Sequence, residues 1–210
     1  MITDIRLAGQ QLAAPRFDTP KKLISWMGAI QAQDYAMARW AVGIRLKSAT
    51  ARSVGEAFSR GEILRTHVMR PTWHLVAAED IRWMLKLSAR RIRSANESLA
   101  KGRQLELTEQ LHYRCDRLLE KMLEGNRNLT KQQIGEELNR QGIAADTPRL
   151  TRLLMRAETE AVVCSGPFSG GRQTYALLEE RVPPVPELHP DEALAKLATA
   201  YFRSHSPASL

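Results

Sequence analysis

Gln31-Ala32-Gln33-Asp34, inside the stretch AIQAQDYAMARWAVGIRL, sets two amide side chains on either side of one small apolar residue. An amide offers one acceptor oxygen and two donor hydrogens, so it can hold a water or a base edge without any change of charge. Two residues apart on a helix, side chains point about 200° from each other; on an extended or looped backbone they point the same way. Gln31 and Gln33 therefore converge on one ligand only if residues 31–34 interrupt the helical pattern on both sides. Asp34 favours such a break, because Asp is a preferred N-cap and the run behind it is helical in pattern. On spacing alone the plainer reading, ordinary exposed polar residues at a helix end, stays open.

The flanking segments supply the scaffold. Residues 3–14 read as a short helix ended by Pro15, and Thr19-Pro20 is a cap followed by proline at the first helical position. The helix KKLISWMGAI puts Leu23, Trp26, Met27 and Ile30 on one face, and Met37, Trp40, Ala41 and Ile44 repeat that spacing in the helix after the break. A third helix stops near Gly61. Ile63–Val68 and Thr72–Val76 are β-prone runs around Met69-Arg70-Pro71, the pattern of a hairpin. Helices followed by a hairpin make a winged helix-turn-helix, and Arg60, Arg65 and Arg70 would suit a wing that tracks phosphates. His67 and His74 fall on opposite strands of this hairpin, an arrangement more often structural than catalytic.

Ala78–Ala100 reads as a basic helix and Glu106–Leu123 as another. Thr130 then caps KQQIGEELNRQGI, Asp146-Thr147-Pro148 opens RLTRLLMRAETE, and Ala161–Ser165 and Gln173–Leu178 are strands joined by GPFSGGR. Helix, turn, helix and hairpin again spell a winged helix. Its second helix carries Arg149, Arg152 and Arg156 along one side, with Arg172 in the wing; DNA contact and simple solvation account for these arginines equally well. Pro183-Pro184-Val185-Pro186 is a stiff linker. The expected organisation is mainly α with small β-hairpins (α+β), as tandem winged helices: 1–77, 78–182, and 183–210 as linker and start of a truncated third module.

The 210 residues carry 31 Lys and Arg against 23 Asp and Glu, a net charge of +8 that favours an anionic partner, nucleic acid first. Cys115 and Cys164 stand apart with no Cys/His cluster, which argues for a reducing compartment without disulfides or zinc. The N-terminus lacks the layout of a secretion signal and no apolar run reaches membrane-spanning length. A cytoplasmic protein is expected. Phosphate-loop, HExxH, GxSxG and GxGxxG templates are missing from the sequence. Glu79 and Asp80 open a helix, where its dipole favours acids.

Three stretches, LISWMGAIQAQDYAMARWAVGIRL, ILRTHVMRPTWHLVAAEDIRWML and YFRSHSPASL, together resemble the bacterial winged-helix DNA glycosylases of the AlkZ/YcaQ family. That family is recognised by a Gln-Φ-Gln or Gln-Φ-Asp motif followed by a segment much like MRPTWHLVAAED. The resemblance implies three tandem winged helices and a barrel-like C-terminal domain, of which this chain holds the N-terminal portion. It implies a monofunctional glycosylase that excises N7-alkylated purines by hydrolysing the N-glycosidic bond, some members also unhooking interstrand crosslinks. Gln31 and Gln33 take the catalytic positions, and Gln33 assigns the chain to the Gln-Φ-Gln subgroup, associated with resistance to self-made alkylating toxins. The reaction needs no metal or cofactor. The partner is double-stranded DNA bearing alkylated bases, met by a monomer at the nucleoid, with Arg65, Arg70, His74, Arg149, Arg152, Arg156 and Arg172 as DNA-binding residues. Two competing expectations remain: a non-enzymatic winged-helix transcription regulator, and a DNA-binding relative or fragment without activity.

Overall fold

Thr19, Asp34, Thr50, Thr108, Thr130 and Asp146 each accept the backbone N–H three residues on, and each opens a helix. The structure, a computed structural model, describes residues 1–208. In chain order it contains α1 (Ile2–Gly9), α2 (Pro20–Met27), β1 (Ile30–Gln31), α3 (Tyr35–Gly43), α4 (Ala51–Ser59), β2 (Ile63–His67) and β3 (Trp73–Ala77). After a 3-10 turn (Ala78–Asp80) come α5 (Ile81–Gly102), α6 (Glu109–Leu123), β4 (Leu129–Thr130), α7 (Lys131–Arg140) and α8 (Thr147–Thr159). β5 (Val163–Ser165), β6 (Thr174–Leu177), α9 (Leu178–Arg181) and α10 (Pro190–His205) complete it. The protein is mostly helical, with two small three-stranded antiparallel sheets.

Two compact units form. The first takes Met1–Arg65, Thr72–Trp83 and the chain from Pro186 onward; the second takes Thr66–Pro71 and Met84–Val185. In the first, α2, α3 and α4 pack around Leu23, Ile24, Val42, Val54, Phe58, Ile63 and Leu75, all fully buried. Burying side chains of this size stabilises the unit by about 1.5–3 kcal/mol apiece. Gly28 ends α2 with φ +78, a conformation that a side chain would strain. β3 lies between β1 and β2.

One expected face is reversed. Met37 and Trp40 on α3 are 59% and 61% exposed, and Ile44 just beyond its end is also exposed, whereas Ala38 and Val42 are buried. The helix is apolar on two sides, and it turns inward the side whose small residues let α2 and α4 approach closely.

The closing segment, expected to begin a third module, forms α10 against α1 and α2. Lys196 Nζ lies 2.7 Å from the buried Asp80 carboxylate and over the Trp83 ring, whose N–H donates to the same carboxylate. Arg203 donates to the Ser25 and Trp26 carbonyls. Gly9 permits the approach of α10, since a Cβ there would sit 3.2 Å from the Ser204 carbonyl. Ser209 and Leu210, the end of that expected module start, lie outside the described residues.

In the second unit, α6 packs on α7, α8 and β6 over Leu119, Leu123, Ile134, Leu138, Leu153 and Leu154. Its strand order, β4-β6-β5, repeats the β1-β3-β2 order of the first unit. Helix, strand, helix, helix, strand, strand is thus present twice. The registers agree: Ile30 and Gln31 face Leu75 and His74, and Leu129 and Thr130 face Tyr175 and Thr174. The copies differ at one junction. β4 runs straight into α7, whereas Ala32, Gln33 and Asp34 intervene between β1 and α3.

Candidate active site

The two glutamines sit at that lengthened junction, as the break between helices requires. Gln31, the last residue of β1, is opposite His74 in antiparallel register, so the two side chains share one face of the sheet. The Ala32 N–H donates to the Trp73 carbonyl at 2.7 Å and extends the pairing by one residue. Ala32 is fully buried while Gln31 and Gln33 are exposed, the alternation of an extended backbone. A bulkier side chain at 32 would press into the core, which is why the middle residue is small and apolar.

Gln33 is anchored as well as exposed. Its Oε1 accepts the Trp73 N–H at 3.3 Å, and because that partner only donates, the oxygen is the amide atom facing it. One lone pair is so engaged and the second remains available to a water. His74 is buried; its Nδ1 lies 2.9 Å from the Thr72 carbonyl, which only accepts, so Nδ1 carries hydrogen and Nε2 is the other ring nitrogen. Asp34 spends one carboxylate oxygen on the Met37 N–H at 3.0 Å as the cap of α3.

Arg65 lies beneath the loop. Its Nε donates to the Ala32 carbonyl at 2.9 Å and its Nη2 to the Gln33 carbonyl at 3.0 Å. The guanidinium stands 4.6 Å from the Trp73 ring centroid and 6.0 Å from that of Tyr35. Tyr35 packs on Phe58, and burial pushes its phenol up to about 12, against the opposing pull of Arg39 and Arg65, so it stays neutral at physiological pH. Sequence reasoning missed Trp73 and Tyr35, since nothing in their spacing marks them as partners of the loop.

The remaining expected DNA contacts differ in availability. Arg70 at the hairpin tip and Arg172 in the second hairpin are exposed. Arg172 donates to the Gln132 side chain, at the edge of a groove of about 520 Å³ that Lys131, Thr147 and Gln173 also line. Arg149 is half-buried and donates to the Glu106 carbonyl. Arg152 is half-buried too, and burial holds its guanidinium pKa below the usual value. Arg156 is only 8% exposed and bound to three carboxylates: Glu109 by a two-pronged contact at 2.8 and 3.1 Å, Glu160 at 2.8 Å and Glu97 at 3.8 Å. Of the two hairpin histidines, His67 Nδ1 is 2.6 Å from the buried Glu158 carboxylate, whereas His74 Nδ1 faces the Thr72 carbonyl. Among the described residues no three His, Cys, Asp or Glu side chains gather as a metal-binding group, and no helix is long and apolar enough to cross a membrane.

The family profile described as DNA glycosylase AlkZ-like matches residues 24–210, which include the glutamine loop, the hairpin behind it and the whole second unit. The chain belongs to the AlkZ-like DNA glycosylase family. Its fold is similar to that of Streptomyces sahachiroi DNA glycosylase AlkZ, with a TM-score of 0.73 over 99% of this chain at 22% identity. The chain spans 57% of that protein's length. No curated protein matches the AlkZ-like chain.

Proposed function

We propose that this protein excises N7-alkylated purines from double-stranded DNA by hydrolysing the N-glycosidic bond, with Gln31 and Gln33 as the residues that act on the reacting centre. The observation that carries this reading is the pairing of two exposed amides on one side of an extended loop, found in one copy of a repeated module and missing from the other. We read both copies as winged helices. Alkylation at N7 leaves the base cationic, so it departs readily. The protein's part is to hold a water against the anomeric carbon and to favour a sugar carrying oxocarbenium character. Gln33 Oε1 suits the first task, accepting a hydrogen from the water through its free lone pair. The negative end of the Gln31 amide dipole suits the second, on a backbone that the strand holds in register with His74. Neither amide takes up a proton at neutral pH, so orientation rather than strong general-base chemistry carries the step. Crosslinks formed through N7 present the same bond and fall within the same chemistry.

DNA is held, on this reading, by Arg70, Arg172 and the groove beside it, with His74 next to the reacting face and Arg149 and Arg152 in supporting positions. Arg156 and Arg65 are committed to protein partners. The test is base release from a duplex bearing one N7-methylguanine, scored as alkali-labile sites. Release that disappears in the Gln31→Ala, Gln33→Ala variant, with DNA affinity within a few-fold of the parent, is the expected result. Release that survives the double substitution refutes the site, and no release from the parent chain refutes the activity. A second reading, a self-associating DNA-binding regulator, draws on the exposed Met37 and Trp40 side of α3; it expects a dimer in solution and no base release.

A further inference from the structure

We propose that Arg65 is a positioning residue that sets the shape of the glutamine loop, and that it makes no contact with DNA phosphate. The inference rests on the reading above for its effect on catalysis, and on the contacts of Arg65 for its effect on the loop. Arg65 bridges two successive carbonyls, those of Ala32 and Gln33, which the planar fork of a guanidinium can reach together and a lysine ammonium cannot. Trp73 closes the arrangement. Its ring lies against the guanidinium, its carbonyl takes the Ala32 N–H, and its own N–H holds the Gln33 amide oxygen. Backbone and side chain of the loop are thus tied to one cation and one tryptophan.

The second module provides an internal comparison. The Ala78 N–H donates to the Glu62 carbonyl at 3.1 Å, and the Leu178 N–H donates to the Val162 carbonyl at 3.1 Å. These bonds occupy matching places, because Ala78 and Leu178 each lie three residues past the β3 or β6 residue that faces β1 or β4. Counting three residues on from Glu62 and from Val162 sets Arg65 level with Ser165. The module with three extra residues at its strand-helix junction has arginine at this position, and the module without them has serine. Strand formation alone therefore asks for no arginine here; the loop does.

Arg65→Lys keeps the charge and loses the bridge, and Arg65→Gln loses the charge while keeping a donor. Three quantities decide: the single-turnover rate of N7-methylguanine release at saturating protein, DNA affinity as a function of salt, and amide hydrogen exchange at Ala32. We expect both variants to release base about 10- to 100-fold more slowly, in line with the cost of displacing reacting groups by about 1 Å. Affinity should stay within about twofold with an unchanged salt slope, and Ala32 should exchange at least about tenfold faster. A phosphate contact predicts the opposite pattern: an unaltered rate at saturation, and for Arg65→Gln a slope smaller by about one unit. That pattern, or unchanged exchange at Ala32, overturns the proposal. If the parent chain releases no base, the catalytic reading fails, and exchange at Ala32 alone decides whether Arg65 holds the loop.

Discussion

Arg156 separates a helix that reads DNA from one that holds its own unit together. Its guanidinium is almost enclosed, so replacing it by alanine removes both ion pairs and packing. Glu109 and Glu97 have side chains 76% and 54% exposed and relax into water once the cation is gone, so each pairing is worth about 0.5 kcal/mol. Glu160 is 33% exposed and bound at 2.8 Å, worth about 1 kcal/mol. The lost burial of the aliphatic stem adds about 1 kcal/mol. Arg156→Ala is thus expected to cost about 3 kcal/mol, and at about 2–4 °C per kcal/mol for a chain of this size the melting temperature should fall by about 6–12 °C. Circular dichroism measures the melting temperature, and fluorescence anisotropy on duplex DNA across a salt series measures the phosphate contribution. Well below the transition the salt slope of Arg156→Ala should match the parent's, whereas Arg172→Ala should lower it by about one unit. A melting temperature within about 1 °C of the parent, together with a reduced slope, refutes this reasoning and returns Arg156 to the DNA surface.

Asp116 titrates in the same neighbourhood. Burial first, then Glu160, pushes its carboxyl up to about 6, with Arg156 pulling the other way. The native state therefore binds this proton more tightly than the unfolded chain, and stability falls as pH rises from about 4 to 6 and stays low above that. Asp116→Asn should raise stability at pH 8 by about 1 kcal/mol, a figure reduced for the solvent reaching this half-exposed group, and should flatten that part of the pH profile in urea titrations. Asp34→Ala should lower stability by about 1 kcal/mol through loss of the α3 cap, while base release stays within about threefold; a fall of 10²-fold or more would make Asp34 a general base instead.

Local chemistry makes the scaffold legible in the sequence. The caps at Thr19, Asp34, Thr130 and Asp146 and the strands on either side of Met69-Arg70-Pro71 and of GPFSGGR are all where the sequence predicts them. These signals act within a few residues. Long-range partners are what the sequence hides. Arg149, Arg152 and Arg156 do share a helix side, yet only the fold brings Glu109 and Glu97 to Arg156. Arg65 is a strand residue beside a hairpin in the sequence, and its carbonyl partners lie more than thirty positions earlier. On α3, two apolar stripes compete, and periodicity cannot say that the Ala38 and Val42 side wins.

On the proposed reading, the three residues between β1 and α3 add one reacting side chain, Gln33, to a frame that otherwise occurs twice. Of the three, Ala32 alone reaches the core; Gln33 and Asp34 lie at the surface, and the other copy of the frame closes the same junction with nothing inserted. A substitution of the Gln33 side chain is free to alter the surface of the loop with little effect on folding, whereas the loop itself depends on Ala32, the Asp34 cap, Arg65 and Trp73 keeping their places. Stability and reactivity can thus diverge on separate schedules within one short chain, the unadorned copy standing as a record of the frame without the loop.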